Sequence, residues 1–184
     1  DDLKNIKKMS EEDIYKKLSD YYDNPYFPVN FIEIINKFDF FEFKDVVSKF
    51  NDLDISSLEL NHPGNSSGYS IVSDQIKFCY LLDNEYEDSQ ENELVKFCDN
   101  SDAVIWDGMY LEIELLSKKG WGHSSVEQGI DFANKINVKN FLISHHSPLR
   151  EDKEIKKIQG NIINKKIKFA SENEVINFNG KETI

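Results

Sequence analysis

Arginine is almost missing from this chain. Arg150 is the only one among 22 Lys and Arg, which face 34 Asp and Glu for a formal net charge of −12. Phosphate neutralisation along a nucleic acid needs clustered cations, so this balance disfavours extended nucleic-acid binding. One basic stretch remains, Lys153, Lys156, Lys157, Lys165, Lys166 and Lys168, interleaved with Glu151, Asp152 and Glu154 as a solvated helix face would be. Cysteine is also scarce. Cys79 and Cys98 each sit among apolar neighbours, without the spacing of a zinc ribbon, and read as reduced core thiols. No apolar run is long enough to span a membrane and no signal-peptide pattern is present, so a cytoplasmic protein is expected. Gly-x-x-x-x-Gly-Lys, Gly-x-Gly-x-x-Gly and Gly-x-Ser-x-Gly are all missing, as are internal repeats and linkers. A length of 184 residues suits one domain. The chain opens Asp1-Asp2-Leu3 with no initiator methionine, as if something had been removed or a longer reading frame preceded it.

Apolar positions up to Tyr22 predict two short helices, the second starting near Ser10. Pro25 and Pro28 enforce an extended stretch, and residues 31–43 read as a short helix and a strand. Residues 58–60 form a strand entering His62, and 68–72 and 76–82 form a hairpin around Ser73-Asp74-Gln75. Ser89 is expected to cap a helix that buries Leu94, Val95, Phe97 and Cys98. Residues 103–106 are then a buried strand ending at Asp107. Ser124-Ser-Val-Glu127 reads as a capping box, opening a helix with Val126, Ile130, Ala133 and Ile136 on one face. Residues 139–144 return as a strand, and 170–174 turn between two short closing strands. Strand, helix, strand, helix, strand predicts an α/β layer with parallel pairing.

What the chain does have is histidine in telling places. His62, His123, His145 and His146 all lie in loop-like phrases beside glycine, proline or a strand end. Asp83, Asp107 and His145 each follow an apolar strand, and parallel strands deliver such residues to one edge, where ligands bind. A carboxylate at Asp83 would be costly there unless paired, coordinated or capping a turn. His123 lies between Gly122 and a helix start, suited to proton transfer, with Asp107 placed to orient it or to cap a loop. Of the adjacent pair His145 and His146, strand geometry lets one be a ligand while the other faces a second layer. Imidazoles and carboxylates gathered in this way are ingredients of a hydrolytic metal centre.

Five phrases in this order resemble the metallo-β-lactamase-fold hydrolases, in particular the branch of ribonuclease Z and small phosphodiesterases. They are Asn61-His-Pro-Gly-Asn-Ser-Ser-Gly-Tyr69, Tyr80-Leu-Leu-Asp-Asn-Glu85, Ser101-Asp-Ala-Val-Ile-Trp-Asp107, Gly120-Trp-Gly-His-Ser-Ser125 and Phe141-Leu-Ile-Ser-His-His-Ser-Pro148. The resemblance implies an α/β (α+β) fold, the αββα sandwich, with His62 and His145 as metal ligands and Asp83 as a carboxylate bridging two metals. It implies that His123 assists phosphodiester cleavage, with Asp107 as its acidic partner. Asn65, Trp106 and Ser147 stand where the family has glycine, histidine and aspartate, which puts loop detail and substrate contacts in question. The family's His-x-His-x-Asp-His motif is absent, since no histidine precedes His62. Residues 1–184 therefore read as the C-terminal part of a single metallo-β-lactamase domain lacking its first strands, with poor metal binding and little activity alone. Apolar faces left open would favour association.

The implied function is hydrolysis of a small or cyclic-nucleotide-like phosphodiester by two divalent metals, zinc first and manganese or iron otherwise. The implied partners are that small molecule and, as in relatives, a second copy in a homodimer. Two other readings stand beside it: an inactive or split binding module, and a transfer-RNA-processing nuclease like ribonuclease Z.

Overall fold

A computed structural model describes residues 11–22, 47–50 and 53–176. The expectations for the first helix, the Pro25–Pro28 stretch, residues 31–43 and the last closing strand lie outside the described residues. The chain divides into two units, 1–46 and 47–184. The first contributes helix α1 (Glu11–Tyr22), where a helix ending near Tyr22 was expected.

The second unit is built on a seven-stranded sheet whose strands lie in chain order. They are β1 (Val47–Phe50), β2 (Leu53–Leu60), β3 (Ser66–Ser73), β4 (Ile76–Leu81), β5 (Ser101–Asp107), β6 (Val138–Ser144) and β7 (Ile167–Phe169). The first four pair antiparallel, while β4, β5, β6 and β7 run parallel. The expected hairpin is β3–β4, closed by Asp74 and Gln75 with Ser73 opposite Ile76. Asp74 turns there with a φ of 55°, a left-handed conformation that aspartate tolerates better than most side chains. Helices return the chain between the parallel strands: α2 (Glu91–Cys98), α3 (Glu112–Leu115), α4 (Val126–Lys135) and α5 (Asp152–Asn161).

Alternate strand residues form one face of the core. Cys79, Leu81, Val104, Trp106, Phe141 and Ile143 pack with Leu94 and Cys98 of α2 and with Val126, Phe132 and Ala133 of α4. The described residues thus supply one sheet and one helical layer of the expected sandwich. Both cysteines are buried and unbonded, as expected. No helix among the described residues is long and apolar enough to cross a membrane.

Two expected helix starts are corrected by the structure. Ser89 lies inside a short 3-10 turn, Asp88–Gln90, and Gln90 precedes α2. The capping box of α4 is shifted by one residue. Ser125 Oγ accepts from the Gln128 N–H, and the Gln128 side chain accepts from the Ser125 N–H. Glutamine serves in this box as well as glutamate, and Ser124 is freed for another task. The buried face of α4 correspondingly adds Phe132, with Ile130 only half-buried.

At the sheet edge where β4, β5 and β6 begin, one carboxylate ties the three together. Asp102 accepts from the Lys77 N–H at 2.8 Å and from Lys139 Nζ at 2.6 Å. Burial alone would raise its pKa, but Lys139 and the Lys77 N–H hold it below the ordinary aspartate value. A lowered native pKa gives stability that is present above the unfolded value and lost as pH falls through the native one. Asp102→Ala should therefore cost about 1.5–3 kcal/mol in urea unfolding at neutral pH, and the difference from wild type should shrink near pH 3. An undiminished difference in acid would remove the charge as its cause.

Candidate metal centre

The opposite edge of the sheet gathers the chemistry. Leu81, Trp106 and Ile143 are in register on three parallel strands, so the residues just beyond them, Asp83, Asp107 and His145, emerge together. β2 runs in the same direction as β4, because each is antiparallel to β3, and it brings His62 to that edge too. Asp83 and His145 leave their strands with φ of 56° and 57°. Such left-handed backbone at non-glycine residues costs about 1–3 kcal/mol each and clusters at functional sites.

Asp107 is the hub. Its side chain is fully buried, and its Oδ2 lies 2.8 Å from His123 Nδ1 and 3.3 Å from His145 Nδ1. The same carboxylate accepts from the N–H groups of Asn84 and Met109. Asp83 Oδ1 stands 3.8 Å and 3.6 Å from the same two Nδ1 atoms, on a side chain that is half exposed. With Nδ1 protonated toward Asp107, each imidazole keeps Nε2 free for a metal or a substrate oxygen. The hydrogen bond that His145 donates to Asp107 raises the pKa of His145 above the ordinary histidine value, against burial, which would lower it.

His62 is placed next to this group rather than in it. Its ring meets the His123 ring edge-on with centroids 5.4 Å apart, and its Nδ1 bonds the Pro63 carbonyl at 2.8 Å. Gly122 explains the closeness, since a Cβ there would lie 2.2 Å from His62 Cδ2. His146 turns away from the cluster. Its ring packs edge-on against Phe169 at 4.8 Å, and burial lowers its pKa. The adjacent histidines thus divide as expected, but the strand ends at Ser144 and His145 has left-handed backbone, so strand alternation is not what separates them.

Four side chains, Asp83, Asp107, His123 and His145, each offer a ligand atom within 4.8 Å of the others. Mixed imidazole and carboxylate donors suit zinc, and also manganese or iron.

Solved structures carry the same architecture. Human tRNase Z, short form, aligns with 72% of this chain at 21% identity and a TM-score of 0.56. The metallo-β-lactamase-fold protein YhfI of Bacillus subtilis aligns with 76% at 17% identity and a TM-score of 0.58. The chain has the metallo-β-lactamase fold. A diphosphatase of the PhnP family aligns as well, over 71% of the chain at 14% identity with a TM-score of 0.54. The chain spans about half the length of these structures, 46%, 58% and 46% in turn. No protein-family model matches the sequence, and no curated protein does.

Within this metallo-β-lactamase fold the three departures at Asn65, Trp106 and Ser147 have physical readings. Asn65 has a φ of 67°, where glycine is easiest and asparagine is next. Trp106 points into the helical layer and is buried, so it concerns the core and not the substrate contacts questioned from the sequence. Ser147 lies in the loop after His145, where its N–H donates to the Met109 carbonyl.

Several functional contacts escaped the sequence reading. Asn61 donates through its N–H to Asn84 Oδ1 and through Nδ2 to the Glu85 carbonyl, stitching the His62 loop to the Asp83 loop. Ser124, buried, donates to the Asn84 carbonyl and accepts from the Tyr86 N–H. Glu85 accepts from the N–H groups of Gly120 and Gly122, pinning the loop before His123. The phrases at residues 61–69, 80–85 and 120–125 contained all of these residues except Tyr86, but nothing in their spacing disclosed which would meet.

Proposed function

We propose that the chain forms part of a metal-dependent hydrolase of phosphodiester bonds acting on a small, cyclic-nucleotide-like substrate. One observation carries this reading: Asp107, wholly buried, backs two imidazoles that converge with Asp83 at a single sheet edge. Asp83 and His145 would hold divalent metal, with His62 serving a neighbouring ion, for two per complete site. Such ions, zinc foremost, acidify water and stabilise charge on the phosphoryl group. Asp107 fixes the tautomer of His123 through Nδ1. A proton held on His123 Nε2 would then pass to the departing ester oxygen. The basic stretch supports a small substrate rather than an extended one, because Lys153 pairs with Glu151 and Lys168 with Glu174. The two buried, unbonded cysteines support a cytoplasmic setting.

The test uses the protein expressed from its full natural reading frame, whatever precedes Asp1 included. Bound metal and hydrolysis of bis(p-nitrophenyl) phosphate are measured together. Asp83→Ala should lower the rate by about a hundredfold or more, with loss of metal. Full activity in that variant, or a metal-free wild type with no hydrolysis, would sink the reading.

A further inference from the structure

Beside the metal cluster lies a cavity of about 540 Å³ that His123 and Trp121 both line. Small-molecule sites fall in this range of volume. Trp121 is the unusual wall. It is 57% exposed, yet its loop is fixed on both sides. Glu85 Oε1 accepts from the Gly120 N–H at 2.8 Å, and Oε2 accepts from the Gly122 N–H at 2.9 Å. Both glycines have left-handed backbone, φ 82° and 87°, which other residues adopt only with strain. The Trp121 N–H itself donates to the Lys118 carbonyl at 3.1 Å.

An indole left largely in water contributes little burial to folding, while holding it in place costs conformational entropy. A partner other than the protein's own core accounts for that expense. Lys118 Nζ stands 4.0 Å from the ring centroid, a cation–π contact, and much of the indole surface remains open. Arg150, the sole arginine, lines the same cavity with its side chain only 3% exposed. Its terminal nitrogens bond Glu154 and Glu114, and its buried Nε has no hydrogen-bond partner. Lys118 and Arg150 are offset by Glu114 and Glu154, so these four groups carry no net formal charge. The cavity therefore favours an uncharged group over a second phosphate.

We infer that this cavity is the subsite for a flat, heteroaromatic ring on the substrate, a nucleobase, which stacks on Trp121. The inference rests on the phosphodiesterase reading for which side of the ester it serves. His123 lines the cavity and would protonate the leaving oxygen, so the ring belongs to the nucleoside that carries that oxygen, which in a cyclic ester stays joined to the product phosphate through its other ester bond. Trp121 is the specificity-determining residue, and Glu85 is a positioning residue that acts through it.

Saturation-transfer NMR on the protein expressed from its full natural reading frame, in EDTA, tests the stacking without requiring turnover. The probes are adenosine 5′-monophosphate and ribose 5-phosphate. Adenine protons should receive the strongest saturation, and Trp121→Leu should reduce it about fivefold or more. Trp121→Phe should restore most of the signal, Glu85→Gln should give an intermediate value, and ribose 5-phosphate should stay weak throughout. Tryptophan emission reads the same contact: only the adenine compound should quench it, and the quenching should be lost in Trp121→Leu, where Trp106 is the one tryptophan left among these 184 residues. Equal saturation in wild type and Trp121→Leu, equal quenching by both probes, or no adenine signal at millimolar concentration would overturn the subsite. Failed hydrolysis with stacking retained would overturn the metal chemistry and leave the aromatic subsite standing.

Discussion

Asp107→Ala is expected to disable the site and to weaken the fold at once. The alanine would leave two backbone N–H groups, of Asn84 and Met109, and two imidazoles without their shared acceptor. Removing one member of a buried charged network typically costs about 3–5 kcal/mol, and misdirecting a general acid costs roughly 10²–10⁴ in rate. Asp107→Asn separates the two effects, because its amide oxygen can still accept while the charge is gone. The cleanest readout is His145 in metal-free protein. Asp107 raises its pKa, so protonated His145 favours the native state. That stability is fully present below the unfolded value of about 6.5 and is lost as pH rises through the higher native value. In Asp107→Asn, burial should prevail and the His145 midpoint should fall below the ordinary value. Urea unfolding of the wild type should weaken between pH 6 and pH 8, and that slope should flatten in the variant. An unmoved His145 midpoint, followed by ring NMR from pH 5 to 9, would exclude Asp107 as the cause.

The sequence showed the site's outline because strands are short-range objects. Apolar runs before Asp83, Asp107 and His145 are local, and parallel pairing of such runs places their ends on one edge. The division between His145 and His146 was anticipated from strand alternation, yet it arises beyond the strand, where His145 turns with left-handed backbone. Helix starts were less legible, since either Ser124 or Ser125 satisfies a capping pattern and only packing chooses between them. Ser125 caps α4 because Ser124 is spent on the Asn84 carbonyl and the Tyr86 N–H, some 40 residues away in the chain.

Glu85 and Trp121 mark the limit more clearly. A glutamate two residues after an aspartate and a tryptophan between two glycines have no local signature of joint work. Their relation arises from Glu85 bonding both flanks of Trp121 across 35 and 37 residues of sequence. Gly122 was a hint, but its reason, close approach to His62, exists only once β2 and the loop before α4 share an edge. Composition disfavoured extended nucleic-acid binding, yet it could not say that Arg150 would be buried between two glutamates beside His123.

Trp106→Ala should be the most destabilising change away from the site. Trp106 is 1% exposed, stacks on Phe132 at 5.0 Å and 24°, and meets Tyr86 and Phe141 at 5.5 Å and 6.0 Å. Truncating a large buried aromatic costs about 3–5 kcal/mol, the spread reflecting how far the cavity collapses. Here collapse is limited, because the neighbours are rigid rings. The indole also donates from Nε1 to the Ser125 carbonyl at 3.2 Å, and Gly129 of α4 lies so near that a Cβ would come within 2.6 Å of the ring. Trp106 thereby seats the helix that begins just after His123. Trp106→Phe keeps much of the volume and loses the donor, so it should recover more than half of the stability lost by alanine in urea unfolding. If the alanine variant unfolds at the wild-type urea midpoint, the aromatic layer does not hold α4, and the placement of His123 must come from the Glu85 and Ser124 bonds alone.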